Sequence, residues 1–142
     1  MDHPPKQLST TPRPRPARLF PSLKPSNKEQ QATSTLLSVF KLVPELLPEL
    51  IKTTGVRVND RTDFRTYTEV HLAMQTGKIK DRQDGFIYIK NRNEWSALVE
   101  AKVGNNTLEE DQVCRYLEDA KANDINALIT ISNEFTPRVE QS

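Results

Sequence analysis

Three charged residues near the middle of the chain, Asp84, Glu100 and Lys102, have the types and spacing that metal-assisted chemistry requires. Asp84 begins the apolar run 84–89, and Glu100 and Lys102 lie at the end of the run 95–102. Glu100 and Lys102 are two residues apart, so in a strand their side chains emerge on the same face. An acid and an amine at the end of an apolar strand are costly to bury unless they pair or bind something. Two carboxylates and a lysine together suit a hard divalent cation and a phosphodiester.

The elements that must position these residues are predicted to be strands. Runs 84–89 and 95–102 are rich in aromatic and β-branched residues and are separated by the polar residues 90–94, a spacing typical of adjacent strands. The alternation over 65–74 predicts a further strand upstream. Its two faces are expected to carry Thr68, Val70, Leu72 and Met74 on one side and Tyr67, Glu69 and His71 on the other.

Helices are predicted on both sides of these strands. Ser26 and Glu29 form a capping box that starts a helix to about residue 42, and a short second helix runs to about Thr53, closed by Gly55. Their apolar residues are expected to pack in the core: Leu36, Leu37, Phe40, Val43, Leu46, Leu47, Leu50 and Ile51.

The region after Lys102 predicts a helix followed by one more strand. Thr107 and Glu110 form a second capping box, and a helix from Leu108 to about residue 122 is expected to bury Val113, Leu117 and Ala120. Residues 125–132 alternate as a buried strand. The order is then α-β-β-β-α-β, and the strand–helix–strand unit at 96–131 requires a parallel pairing. We expect an α/β fold with a mixed central sheet flanked by helices.

Length and charge indicate one domain with a basic tail. Residues 1–25 are rich in Pro, Ser, Thr and Arg, which predicts a disordered segment, and residues 26–142 form the domain. Residues 1–28 carry six Lys or Arg and one Asp, whereas residues 29–142 carry 14 Lys or Arg and 18 Asp or Glu. Because the body is mildly acidic, contact with nucleic acid must come from the tail, a local patch or a bound metal.

Composition also excludes several classes of site. The single cysteine, Cys114, cannot form an internal disulfide or a cysteine-ligated zinc or iron–sulfur centre. No apolar run approaches the roughly 20 residues of a membrane span, and no signal-peptide pattern begins the chain. A cytoplasmic protein without membrane contact is expected, and its oligomeric state is left open.

Asp84, fifteen intervening residues and Glu100-Ala101-Lys102 form a pattern that resembles the PD-(D/E)xK nuclease superfamily, with its restriction-endonuclease-like fold. The resemblance covers about residues 65–132 and implies a metal-dependent phosphodiesterase acting on DNA. By that resemblance, Asp84, Glu100 and the Ala101 main-chain carbonyl would ligate Mg²⁺ or Mn²⁺. Lys102 would position or deprotonate the attacking water.

Two further features belong to this resemblance. Gln112 and Tyr116 fit the Gln-x-x-x-Tyr signature of RecB-type nucleases, and positions i and i+4 share a helix face. Glu69 could supply the extra acid that many members carry, although that acid usually lies on a helix. The proline that precedes the family's aspartate is replaced by Gln83. The chain ends soon after the last predicted strand, so a truncated form of a longer protein is one interpretation.

Other interpretations remain open on the sequence alone. Asp84-Gly85 is also a common turn dipeptide, Glu100 and Lys102 can form a solvated pair, and Gln112 and Tyr116 can be ordinary helix-surface residues. The competing function is a catalytically inactive nuclease-fold domain that binds nucleic acid or protein. A purely structural α/β domain is the third. Neither the strandedness of the substrate nor the choice between endo- and exonuclease can be predicted.

Overall fold

The architecture is a five-stranded mixed sheet with helices on its faces. The computed structural model describes residues 3–11, 13–17, 28–59, 61–74, 82–90, 92–102 and 109–132. The helices are α1 (Lys28–Leu42), α2 (Leu46–Ile51), continued by a 3-10 turn at Lys52–Thr54, and α3 (Glu110–Ala122). The strands are β1 (Arg15–Pro16), β2 (Phe64–Val70), β3 (Gln83–Lys90), β4 (Glu94–Lys102) and β5 (Ala127–Ser132).

The strands lie in the sheet in chain order, from β1 to β5. The pairs β1–β2, β2–β3 and β3–β4 are antiparallel, and β4–β5 is parallel. Helix α3 connects the parallel pair. The predicted α-β-β-β-α-β order, the 84–102 hairpin and the parallel pairing are therefore confirmed, within an α/β structure that has a mixed sheet.

Each face of the sheet carries its own buried cluster. Ile87, Ile89 and Val99 pack against Leu37 and Leu47 of the first two helices. Phe86, Tyr88 and Leu98 pack on the other face with Ala120 of α3. Because successive residues of a strand alternate faces, the near-continuous apolar runs in β3 and β4 follow from burial on both sides.

The N-terminal segment differs from the prediction of a disordered tail. Leu8 is 3% exposed and forms an isolated antiparallel bridge with Leu72. Further along, Arg15 and Pro16 form β1 beside β2, and the Ala17 N–H donates to the Thr66 carbonyl oxygen. The composition of the segment indicated that it has too little apolar surface to fold alone. Its order comes from backbone pairing with the edge of β2 and from packing against a face of the sheet.

Several predicted core residues are exposed. Leu47 and Ile51 are fully buried, whereas Leu46 and Leu50 are 42% and 43% exposed. A short helix can turn only one stripe toward the sheet, so half of a leucine-rich sequence stays outside. Val43 (41%) and Leu117 (50%) are exposed as well, and Val113 is half-buried. On α3 the residues in the core are Tyr116 and Ala120.

Strand β2 is shorter than predicted and its face pattern changes near its end. Tyr67, Val70 and Leu72 belong to one cluster although Tyr67 and Val70 differ in parity. Glu69 between them has φ 54°, and this left-handed backbone turns the chain so that Val70 rejoins the Tyr67 face. Met74, expected to follow the same alternation, is 61% exposed. The prediction that Thr68, Val70, Leu72 and Met74 share a face is therefore wrong.

Ser26 and Thr107, the predicted caps, lie outside the described residues, and α3 begins at Glu110. Strand β5 begins at Ala127 and lies at the edge of the described sheet, so it is half-exposed rather than buried. No helix in the described ranges is long and apolar enough to cross a membrane.

Candidate functional site

Three acidic residues occupy neighbouring positions on adjacent strands at one end of the sheet. The pairs Thr68↔Gly85 and Val70↔Gln83 place Glu69 beside Asp84 in the β2–β3 ladder. The pair Gly85↔Val99 likewise places Asp84 beside Glu100 at the next step along β3 and β4. The alternation of the strands therefore brings the residues of the sequence pattern together through backbone register alone.

Asp84 is anchored by the main chain of β4. Its Oδ2 accepts a hydrogen bond from the Ala101 N–H at 3.2 Å. Asp84 and Gly85 both lie inside β3, so the turn interpretation of Asp-Gly is excluded. Burial raises the pKa of Asp84, and the negative charge of Glu29 raises it further, against the lowering effect of the Ala101 hydrogen bond.

Glu100 is the most perturbed carboxyl group of the site. Glu100 is 4% exposed, and its Oε2 has no hydrogen-bond partner among the described residues. Desolvation, followed by the charge of Asp84, raises the pKa of Glu100 to about 8. A buried carboxyl oxygen without a donor is energetically costly, so this end of the sheet favours a cation or a proton at Glu100.

Lys102 lies between two carboxylates. Its Nζ is 3.9 Å from Glu100 Oε1 and 4.0 Å from Glu29 Oε2, and its side chain is 14% exposed. The solvated-pair interpretation of Glu100 and Lys102 therefore does not hold, because both side chains are largely enclosed.

Glu29 is the member of this site that sequence reasoning missed. The residue was interpreted only as a capping partner of Ser26, although it also carries a carboxylate in the first turn of α1. The structure brings that carboxylate to Lys102 and close enough to Asp84 to raise its pKa. The available signal was that the extra acid of the superfamily that the sequence resembles usually lies on a helix, and Glu29 is an acid at the start of a predicted helix.

Gly85 allows α1 to approach the site this closely. A Cβ added at Gly85 would lie 2.8 Å from Thr33 Cγ2 and 2.9 Å from Leu37 Cδ1. A side chain at position 85 would therefore push α1 away from β3. Because Thr33 lies one turn after Glu29, this contact sets the distance between the first turn of α1 and the carboxylates.

Helix α3 contributes a short chain of hydrogen bonds. Gln112 Nε2 donates to the Tyr116 hydroxyl at 2.8 Å, and that hydroxyl donates to Glu100 Oε1 at 3.4 Å. Tyr116 is 4% exposed. Tyr116 therefore contacts a carboxylate of the site directly, and Gln112 is linked to that carboxylate through Tyr116, so the pair is not part of an ordinary helix surface.

Glu69 pairs with a cation that the sequence pattern did not single out. Its Oε1 lies 3.6 Å from Arg82 Nη1, and the positive charge of Arg82 is among those that lower the pKa of Asp84. A left-handed φ at a non-glycine residue costs about 1–3 kcal/mol. Backbone of this kind next to a cluster of charges is a feature of functional sites.

The described side chains alone do not provide a complete set of ligands for a metal ion. No group of three or more His, Cys, Asp or Glu side chains able to hold a metal ion occurs in the described parts of the chain. The carbonyl role predicted for Ala101 stays a prediction, since the contact at this residue is through its N–H. Cys114 is exposed, and His71 is half-buried after β2.

Comparisons with protein-family models, with curated proteins and with solved structures found no match. What the chain does must therefore be argued from the site itself.

Proposed function

We propose that this chain is a Mg²⁺-dependent deoxyribonuclease that hydrolyses DNA phosphodiester bonds, with a restriction-endonuclease-like fold of the PD-(D/E)xK type. The element order supports the proposal. Three antiparallel strands, a helix and a parallel strand follow α1, and the acid pair and lysine lie at the end of the central strands. Fold similarity supplies only the reaction class, so the argument rests on the charged residues.

The observation that carries the proposal is the desolvated carboxyl pair. Asp84 and Glu100 are neighbours in the ladder, both have a raised pKa, and Glu100 Oε2 is buried without a partner in the described chain. A purely structural site would replace such a pair with apolar residues at little cost. A divalent cation between the two groups would remove their repulsion and supply the missing partner.

Charge and donor type at the site fit Mg²⁺ or Mn²⁺. Asp84 and Glu100 would hold the ion, with water and substrate oxygens as further ligands, because Mg²⁺ commonly uses one or two carboxylates. The site has four acidic and two basic residues: Glu29, Glu69, Asp84, Glu100, Lys102 and Arg82. With all six ionised, their net charge is −2, which one divalent cation would balance. When bound, the metal would supply a water of lowered pKa and neutralise phosphate charge.

The side chains of the site then have distinct tasks. Lys102, held between Glu29 and Glu100, orients the attacking water and stabilises charge that develops on the phosphate. Tyr116, itself held by Gln112, fixes the orientation of the Glu100 carboxyl group. Hydrogen bonding of Asp84 to the β4 main chain keeps the two carboxylates in register. These restraints favour one arrangement of the reacting groups.

A cleavage assay on plasmid and linear DNA, with Mg²⁺ and with EDTA, tests the proposal. Lys102→Met keeps the aliphatic stem and removes the ammonium group, so packing is largely preserved. We expect wild type to cleave with Mg²⁺ and Lys102→Met to be inactive, while affinity for DNA in Ca²⁺ changes little. Lys90→Met, at the exposed opposite end of β3, is the matched control and should cleave like wild type.

The same assay separates the competing function. A binding module would show no cleavage by any variant, but Lys102→Met would bind DNA less tightly and with a salt slope smaller by about one unit. Equal cleavage by wild type and Lys102→Met would remove Lys102 from the mechanism. Binding without any cleavage would refute the nuclease proposal.

A further inference from the structure

We propose that Arg82 is the residue that binds the substrate phosphate, and that Glu69 positions it from the left-handed turn in β2. The inference rests on the proposed function, because it names how the same site would hold a nucleic-acid strand. It adds a binding residue and a positioning residue that the acid–lysine pattern does not contain.

Arg82 lies beside the cluster of carboxylates. It precedes β3 directly, two residues before Asp84, and its charge is felt by the Asp84 carboxyl group. Its ion pair with Glu69 is 3.6 Å long, and Glu69 occupies the ladder position beside Asp84. The guanidinium group is therefore kept near the carboxylates in two ways, by the position of Arg82 directly before β3 and by the ion pair with Glu69 of β2.

Exposure distinguishes Arg82 from the other cation of the site. The Lys102 side chain is 14% exposed and lies between two carboxylates, so it contributes little to the first binding of a phosphate from solvent and acts on the phosphate only once the substrate is in the site. The Arg82 side chain is 47% exposed. Guanidinium also carries five N–H donors in a planar fork that matches phosphate oxygens, so it can contact Glu69 and a phosphate together.

The Glu69–Arg82 pair is poorly explained as a stabilising contact. An ion pair with a half-exposed guanidinium group adds little to folding stability. Glu69 nevertheless keeps a φ of 54°, which is unfavourable for a residue with a side chain. A local cost without a matching gain in stability is typical of a residue retained for function.

The first test measures the affinity of the full chain for short single- and double-stranded DNA in Ca²⁺ at several salt concentrations. Arg82→Ala should weaken binding by roughly 10- to 100-fold, as expected for a lost charge-assisted hydrogen bond. Its salt slope should shrink by about 0.7–0.9. Arg61→Ala removes the same charge from an exposed residue before β2, at the opposite end of the sheet, and should bind like wild type.

A double-mutant cycle tests the positioning role of Glu69. Glu69→Gln should lower kcat in Mg²⁺ at least several-fold, because Arg82 no longer holds the phosphate in one position relative to the carboxylates. DNA binding should not weaken, because the substitution also removes a negative charge near the phosphate. In the Arg82→Ala background it should change nothing further. A merely structural role would instead lower the melting temperature and leave the split between kcat and KM unchanged.

The outcomes separate this inference from the proposed function. Cleavage by wild type together with unchanged affinity in Arg82→Ala would overturn the assignment of Arg82 and leave the nuclease proposal intact. Binding without cleavage, with affinity lost in Arg82→Ala, would retain the phosphate contact and reject catalysis. A wild-type chain that neither binds nor cleaves DNA would reject both, and an additive double mutant would reject Glu69 alone.

Discussion

Replacing Glu100 with glutamine should make the free protein more stable at neutral and alkaline pH. Glutamine keeps the size of the side chain and an oxygen for the Tyr116 hydroxyl, but it cannot ionise. In the folded protein the pKa of Glu100 is raised from its ordinary value of 4.5 to about 8, first by burial and then by the charge of Asp84. The folded form therefore holds the proton more tightly than the unfolded chain, and stability falls as pH rises through this interval.

The size of the effect follows from the width of that interval. One pKa unit corresponds to about 1.4 kcal/mol. Between the ordinary pKa of 4.5 and pH 7, ionisation of Glu100 in the unfolded chain lowers the free energy of unfolding by about 3 kcal/mol, and the loss approaches roughly 5 kcal/mol above pH 8. For a chain of this size, about 3 kcal/mol corresponds to roughly 6–12 °C in melting temperature.

Thermal or urea unfolding in EDTA, at several pH values from 4.5 to 8.5, measures this difference. Wild type should lose stability as pH rises across the range. The stability of Glu100→Gln should depend much less on pH, and the dependence that remains should come from Asp84. Glu118→Gln, at an exposed position on α3, should follow wild type. Parallel curves for wild type and Glu100→Gln would refute the assignment of a desolvated, proton-binding carboxyl group. Added Mg²⁺ should stabilise wild type more at pH 8 than at pH 5, because metal and proton compete for the same oxygens.

Three further outcomes follow from the same geometry. Asp84→Asn should lower the affinity for Mg²⁺ at least several-fold in calorimetry while the far-UV spectrum is unchanged; equal affinity in both proteins would remove Asp84 from the site. Gln112→Ala should lower cleavage with little change in melting temperature, because it removes the support of the Tyr116 hydroxyl, and full activity would make the Gln-x-x-x-Tyr match accidental. Leu47→Ala should lower the free energy of unfolding, measured in urea, by about 2–5 kcal/mol. Leu46 is 42% exposed, so Leu46→Ala should lower it by less than about 1 kcal/mol. Similar losses in the two variants would contradict the described packing of α2.

The central hairpin was predictable because its information is local. Two apolar runs rich in aromatic and β-branched residues, separated by a short polar break, predicted both strands, and the alternation of side chains along a strand placed Glu100 and Lys102 on one side. The hydrogen-bond ladder then added Asp84 opposite Glu100. The i, i+4 spacing of Gln112 and Tyr116 placed both on one helix face, but only the resemblance to RecB-type nucleases directed that face toward the carboxylates.

The misplaced features depend on contacts distant in sequence. Glutamate does not favour a left-handed φ as glycine does, so nothing in the residue type at position 69 predicted the change of face in β2. Leu117 continues the apolar spacing of α3, but it is 50% exposed although its neighbours Tyr116 and Ala120 are buried, so its side chain lies on a face of the helix that the sheet does not cover. The role of Glu29 depends on how closely α1 approaches β3, a distance set by the contact of Gly85 with the helix.

The pairing of β1 with β2 has a consequence for self-association. An open strand edge offers N–H and C=O groups to any passing chain, and proline cannot supply the N–H. Pro14 precedes β1 and Pro16 lies within it. A further strand that paired with β1 would therefore lack two N–H donors from the β1 side. Ala127–Ser132, at the opposite edge of the described sheet, contains no proline. Pro14 and Pro16 thus oppose extension of the sheet on this side, and a shortened chain that began at α1 would expose β2 to intermolecular strand pairing.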